Sequence, residues 1–219
     1  MQVEWFGQSA FKLTAENGSS IFIDPFGDMS ALAGPAWAYP PITGVAAELL
    51  LVTHEHPDHN GVEAIDGTPA LVRSTAGRHE TPLGTVTGIA AEHDSAAGTE
   101  RGPNTIYAFE LDGMRVVHFG DFGQSELRPE QRAAIGRPDL LFICVGGGPT
   151  IGGEQAAQIA GELDARWVVP MHYRTERIGF LEPADAFLSR FDITTELETP
   201  VFRSDDLDPE PMAIVPKAP

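Results

Sequence analysis

The stretch Leu49-Leu50-Leu51-Val52-Thr53-His54-Glu55-His56-Pro57-Asp58-His59 passes in one step from an aliphatic run to three imidazoles and a carboxylate. Leu49–Thr53 shows no apolar/polar alternation, as expected of a strand covered on both faces. Such a strand needs structure on each side of it, so the chain reads as sheets packed inside helix layers. The hexamer His54–His59 is not the helical zinc-protease motif, whose histidines stand four apart on one helix face. Here the fifth position is Asp58, and Pro57 would break a helix. In a loop, alternate side chains can fold around one centre, and neutral imidazoles with carboxylates suit Zn²⁺ and its first-row neighbours. With seven histidines in 219 residues, three in one hexamer mark a metal loop rather than a chance run on a turn.

Short apolar runs separated by Gly/Pro punctuation spread in both directions from this loop. Val3–Phe6, Ala10–Thr14 and Ile21–Asp24 read as strands, with a hairpin-type turn at Glu16-Asn17-Gly18-Ser19. Residues 27–47, rich in Gly, Pro and Ala, read as a loop with one short helix. Downstream, Val62–Ile65 reads as a short helix, Ala70–Arg73 and Thr85–Ala91 as strands, and Thr75–Pro82 as a polar loop. Thr105–Leu111 and Met114–Phe119 flank Asp112-Gly113, the strongest hairpin signal in the chain. Pro129–Ile135 opens with proline and then Glu130, a helix-start signature. Strands at Leu140–Val145 and Trp167–Met171 then alternate with helices at Glu154–Leu163 and Pro183–Phe191. No period of 20–50 residues repeats, and nothing breaks the chain into two parts, so residues 1–219 are expected to form a single domain.

Composition narrows the function classes. Against 14 Lys and Arg stand 32 Asp and Glu, a net charge of −18, so most of the surface repels polyanions and no nucleic-acid partner is expected. The acidic residues Asp205, Asp206, Asp208 and Glu210 read as a solvated end. Apolar stretches are strand-sized, far short of the roughly 20 residues a membrane helix needs. Met1-Gln2-Val3-Glu4 shows neither a basic nor an apolar leader, and Cys144 is the only cysteine, so the expected setting is cytoplasmic. Gly7-Gln8-Ser9-Ala10-Phe11 lacks the last glycine of a nucleophile elbow, which argues against a serine hydrolase.

Beyond the hexamer, Gly120-Asp121 and Met171-His172 repeat the pattern of Thr53-His54: an aliphatic strand ends and a ligand-type residue follows. His93 also follows a strand-like run, with His79 in its polar loop as the rival for that place. Ligands delivered from several strand ends converge at one edge of a sheet, where rigid backbone holds them and open loops admit substrate. His118, three residues before Asp121, faces the opposite side of its strand and reads as a core residue or a brace behind the ligands. Asp24, closing a strand before Pro25, reads as a turn cap. The glycine-rich Gly146–Gly153 turn fits neither phosphate-loop nor dinucleotide spacing. It reads either as an anion-binding turn before a helix or as a tight turn needing positive φ.

The pattern His54-x-His56-x-Asp58-His59 resembles the signature of the metallo-β-lactamase superfamily. The phrases Trp5-Phe6-Gly7-Gln8-Ser9, Ile23-Asp24-Pro25, Glu92-His93-Asp94 and Arg101-Gly102-Pro103-Asn104 are similar to its ascorbate-6-phosphate-lactonase-like branch. So are His118-Phe119-Gly120-Asp121, Val145-Gly146-Gly147 and Val169-Pro170-Met171-His172-Tyr173. The resemblance implies an α+β fold, a four-layer αβ/βα sandwich of two mixed sheets flanked by helices. It implies two divalent metal ions, Zn²⁺ first and Mn²⁺ or Fe²⁺ as alternatives, with His54, His56 and His93 on one. Asp58, His59 and His172 fall on the other, and Asp121 bridges both. Asp24 becomes a carboxylate supporting the ligands. Asp58 also becomes the catalytic residue that orients the nucleophile, while Asp94, Asn104 and Tyr173 become candidate substrate contacts. The implied activity is hydrolysis of a small-molecule ester, lactone or phosphoester. A phosphodiesterase or nuclease, and a metal-binding protein without turnover, are the competing readings.

Overall fold

A computed structural model describes all residues, Met1–Pro219. Its strands are β1 (Gln2–Gly7), β2 (Ala10–Thr14), β3 (Ser20–Ile23), β4 (Val45–Ala46), β5 (Leu49–Val52), β6 (Ile65–Asp66), β7 (Ala70–Arg73) and β8 (Gly77–Thr81). They continue as β9 (Gly84–Glu92), β10 (Pro103–Leu111), β11 (Met114–His118), β12 (Leu140–Cys144), β13 (Trp167–Met171), β14 (Thr194–Glu196), β15 (Val201–Arg203) and β16 (Met212–Val215). The α-helices are α1 (Ser30–Ala33), α2 (Pro129–Ile135), α3 (Gly153–Glu162) and α4 (Asp185–Leu188).

Two mixed sheets result. A six-stranded sheet runs β15-β1-β2-β3-β5-β7 and an eight-stranded sheet runs β14-β16-β13-β12-β11-β10-β9-β8. A core of 47 buried residues, reaching from Met1 to Ile214, holds both together. Within it Phe11 of β2 meets Phe142 of β12 at 4.4 Å between ring centroids. The hydroxyl of Tyr107 in β10 donates to the Val52 carbonyl across the sheets at 2.9 Å.

The double burial expected of Leu49–Val52 is present, because every residue of β3 and β5 is buried. Ile21, Ile23, Leu49 and Leu51 face the main core, while Phe22 and Leu50 face a second cluster with Phe26, Tyr39, Ile42 and Ile178. Much of the cover over that outer face is the 25–47 segment, whose regular structure is the single turn α1, a 3-10 turn at Gly34–Ala36 and the two-residue β4. Helices α2 and α3, with α4 packed on α3, flank the eight-stranded sheet.

Several local expectations need correction. The polar segment 75–82 contains β8, whose residues are exposed or half-buried and which forms the edge of its sheet. Its Arg78, His79 and Glu80 are polar side chains of the kind that discourage pairing with another chain. The helix expected over Pro183–Phe191 is one turn, Asp185–Leu188. The acidic segment is exposed at Asp205, Asp206, Asp208 and Glu210, yet it is no loose end. It is flanked by β15 on β1 and by β16, which lies between β13 and β14 with Met212, Ala213 and Ile214 buried.

Strand direction positions the site. β3, β5 and β7 are parallel, as are β11, β12, β13 and β16. β9 shares the direction of β11 because each is antiparallel to the intervening β10. The carboxyl ends of β3, β5, β9, β11 and β13 therefore gather at one rim of the sandwich, where ligands bind open α/β sheets. A bond from the Thr105 amide to the Thr53 carbonyl, 3.0 Å long, ties the two sheets at that rim.

Replacing Phe11 with alanine removes a fully buried ring that packs on Phe142 between the two sheets. It is expected to lower stability by about 3–5 kcal/mol in urea unfolding. Leu32→Ala, on an exposed position of α1, should change it by less than about 0.5 kcal/mol.

Candidate metal centre

Each candidate ligand sits just beyond a strand end. His54 follows β5, His93 follows β9, Asp121 lies three residues beyond β11, and His172 follows β13. Two donor groups form there: His54 with His56 and His93, and Asp58 with His59, Asp121 and His172. Within each group the ligand atoms lie within 4.8 Å of one another. Asp121 stands between them. Its Oδ2 is 3.2 Å from Nε2 of both His93 and His172 and 4.0 Å from His54 Nε2, and its Oδ1 is 3.3 Å from His59 Nε2.

The partners of the opposite ring nitrogens fix which atom of each imidazole is free. Thr53 Oγ1 donates to Asp24 Oδ2 at 2.6 Å, so at 3.1 Å it accepts from His54 Nδ1. His59 Nδ1 donates to the same Asp24 oxygen at 2.8 Å. His93 Nδ1 donates to the Pro149 carbonyl at 3.0 Å. In each case Nε2 is left with its lone pair turned toward the donor group. His54 Nε2 then faces His56 Nδ1 at 3.1 Å, and burial holds both imidazoles below their ordinary pKa, His54 at about 2. A neutral His56 either donates from Nδ1 to that nitrogen or, with its proton on Nε2, leaves both lone pairs free for one cation.

In the second group opposite charges meet. Burial would push the His59 imidazole down, but Asp121, Asp58 and Asp24 outweigh it and raise its pKa well above the ordinary value. Burial would push Asp121 up, and His172 and His59 more than reverse that. His59 Nε2, Asp121 Oδ1 and His172 Nδ1 are nevertheless buried without a hydrogen-bond partner. Orphaned nitrogen and oxygen donors around a buried carboxylate fit a divalent cation of the Zn²⁺, Mn²⁺ or Fe²⁺ type.

Supporting residues hold the ligands at fixed angles. Asp24 also accepts the Thr53 amide at 2.8 Å, so its carboxylate joins β3, β5 and the His59 imidazole. Asn104 donates to the Phe119 carbonyl at 2.8 Å and accepts the Asp121 amide at 3.2 Å. It thus acts on Asp121 from behind. Gly120 has φ +56°, and a Cβ there would lie 2.4 Å from Asn104 Oδ1, so only glycine lets the chain turn into Asp121. His118 donates from Nε2 to the Ser9 carbonyl and accepts the Gly120 amide at Nδ1, a brace to this turn. Asp24, Gln8 and His172 all carry φ near +50°, a concentration of backbone strain around one centre.

Other candidates fall elsewhere. Both oxygens of Asp94 are engaged by the amides of Ala96, Gly98, Glu100 and Arg101, so Asp94 anchors the 94–102 loop. Tyr173 stacks on Trp5 within the core at 5.8 Å, and burial raises its hydroxyl pKa. His79 bonds to the Thr75 carbonyl on β8 and belongs to neither donor group. The Gly146–Gly153 turn supplies the Pro149 carbonyl that orients His93, a role no side chain there could signal. Thr53 and Gln8 were also invisible as supports. The only hint for Gln8 was its place in the Trp5–Ser9 phrase.

A sandwich with metal-type donors at one rim of its sheets defines a class of protein before any relative is considered, and the comparisons agree with it. The profile of the beta-lactamase superfamily domain matches residues 2–172. A UPF0173 metal-dependent hydrolase of Methanosphaera stadtmanae is 32% identical, over 80% of this chain and 85% of its own length. One from Cupriavidus taiwanensis is 31% identical over 80% and 74%. A Thermotoga maritima structure, assigned to the Zn-dependent hydrolases of the metallo-β-lactamase superfamily, superposes with a TM-score of 0.80. It is 30% identical and covers 98% of this chain and 97% of its own. The chain belongs to the metallo-β-lactamase superfamily and, within it, to the UPF0173 metal-dependent hydrolases.

Asp24→Asn removes an acceptor shared by His59 and Thr53. Zinc affinity, measured by competition with a chromophoric chelator, is expected to fall about 10–100-fold. Unchanged affinity would show that this carboxylate does not support the ligands.

Proposed function

We propose that the chain hydrolyses a small ester, lactone or phosphoester at a dinuclear centre. His54, His56 and His93 would hold one divalent ion, Asp58, His59 and His172 the other, and Asp121 both. The observation that carries this reading is the position of Asp121, whose two oxygens face imidazole nitrogens of both donor groups. Zn²⁺ is the first choice for a donor set this rich in histidine, with Mn²⁺ or Fe²⁺ compatible with its carboxylates. Such ions supply a water whose pKa is lowered toward about 7 and a positive field for the oxygen that gains charge.

The protein's own residues would do the rest. Asp58 Oδ2 lies 3.5 Å from His59 Nε2 and 4.0 Å from His172 Nε2, and its side chain is 21% exposed where the neighbouring ligands are almost fully buried. It is the carboxylate of the site that reaches solvent. Burial would raise its pKa, but His59 and His172 hold it below the usual carboxylate range, so it meets the nucleophilic water as an anion. It can orient that water and hold the proton it releases. Asp24, Asn104 and His118 keep the geometry rigid while charge moves.

The continuous core from Met1 to Ile214 supports reading residues 1–219 as one domain. No helix is long and apolar enough to cross a membrane. A single buried free thiol, Cys144, is compatible with the cytoplasmic setting we assign.

Elemental analysis of the purified protein, followed by turnover of lactone, phosphodiester and thioester panels, tests the proposal. Asp58→Asn should keep the wild-type circular dichroism spectrum and lose nearly all turnover. Wild-type rates in that variant would remove Asp58 from the mechanism, and a protein that binds neither zinc nor manganese would end the reading altogether.

A further inference from the structure

Of the 14 cationic residues two are lysines, Lys12 and Lys217, leaving twelve arginines. Ten of these have their guanidinium engaged. Arg73, Arg78, Arg128, Arg132, Arg137 and Arg190 pair with carboxylates. Arg115, Arg166, Arg174 and Arg177 donate to backbone carbonyls. Only Arg101 and Arg203 have neither kind of partner. In a chain with 32 carboxylates, an arginine on the rim that pairs with none of them is a departure that needs a reason. Arg203 lies on β15, remote from the rim. Arg101 does not.

Arg101 lines a cavity of about 110 Å³ whose other walls include His54, His56, Ser74 and Thr105. It therefore shares a cavity with two members of one donor group, His54 and His56. It also borders a neighbouring cavity of about 280 Å³ formed with Gly148, Pro149 and Thr150. The other charge in the smaller cavity, Glu55, is neutralised by Arg73 and bonded by Ser74 Oγ. The loop that carries Arg101 is anchored, because the Arg101 amide is one of the four that Asp94 accepts, at 2.8 Å. A free, always-charged fork on a held loop beside a hydrolytic centre suits a carboxylate or phosphate, which it can grip with two parallel hydrogen bonds. At roughly 30 Å³ per water, the smaller cavity holds about four waters, the size of one such group.

We propose that Arg101 is the substrate-binding residue that selects anionic substrates: small esters or lactones carrying a second group, a carboxylate or phosphate, apart from the bond that is cleaved. This rests on the hydrolase reading above, deepens it to a substrate class, and gives the Asp94-anchored loop a purpose.

The test compares the zinc-loaded wild type with Arg101→Ala, Arg101→Lys and Arg203→Ala on three 4-nitrophenyl esters of similar size. The acyl groups are butyrate, which is neutral, succinate, which carries a carboxylate, and 3-phosphonopropionate. The wild type should favour the charged esters by tenfold or more in kcat/KM, with the larger factor identifying the anion. Arg101→Ala should abolish this preference mainly through KM, Arg101→Lys should restore part of it, and Arg203→Ala should behave as wild type. A preference that survives in Arg101→Ala, or no preference in the wild type, overturns the proposal. Calorimetric titration of the same zinc-loaded proteins with succinate reads the anion site without turnover. Weakening by tenfold or more in Arg101→Ala supports the assignment even if no ester is cleaved, a result that would count against the hydrolase reading alone. Equal affinities count against Arg101.

Discussion

Imidazole nitrogens crowded around one buried carboxylate are the constraint on which this rim is built. His54 Nε2 and His56 Nδ1 meet at 3.1 Å, and Asp121 Oδ2 meets the nitrogens of His93 and His172 at 3.2 Å. A buried carboxylate among so many ring nitrogens needs positive charge beside it, from protons on the rings or from a bound cation, and the fold enforces the arrangement. Much of the enforcement comes from hydrogen bonds on the far side of the His54, His59 and His93 rings. Asp24, Thr53 and the Pro149 carbonyl hold the opposite nitrogens, while Asn104 and His118 hold the turn that presents Asp121. A site so arranged is complementary to positive charge before any arrives, which lowers the cost of ordering ligands when it does.

The sandwich makes that arrangement possible. Parallel strands point their carboxyl ends the same way, so residues separated by more than a hundred positions in sequence reach one rim without long loops. The interior is tied by direct contacts between sheets, such as Phe11 on Phe142 and Tyr107 to Val52. Rigid strand ends carry the ligands, and the more exposed 94–102 loop stands next to them.

Much of this was legible from residue order. Leu49–Val52 announced double burial because a strand that faces two cores cannot alternate. The hexamer His54–His59 and the strand-end positions of Asp121 and His172 announced donors, because few other arrangements place imidazole and carboxylate directly after aliphatic runs. Asp112-Gly113 announced its hairpin, and both residues adopt the positive φ such a turn requires. What escaped has a common cause. Edge strands β8, β14 and β15 are short and, Phe202 apart, exposed or half-buried, so they lack the apolar pattern that identifies a strand. β16 was hidden by the acidic segment before it, although its own residues are apolar. The Pro149 carbonyl and the amides around Asp94 act through backbone, which carries no residue-type signature. Asp94 therefore looked like a substrate contact beside His93 when its carboxylate closes a loop.

The placement of β15 and β16 bears on how the molecule comes into being. β1, at the start of the chain, pairs with residues 201–203, and β13 gains its second neighbour only from Met212 and Ala213. A ribosome makes these segments after all the other strands of the two sheets. Until then the nascent chain exposes two unpaired strand flanks, and pairings of such long sequence separation are slow to form. Completion of both sheets, and with it a settled rim, must await residues 201–215.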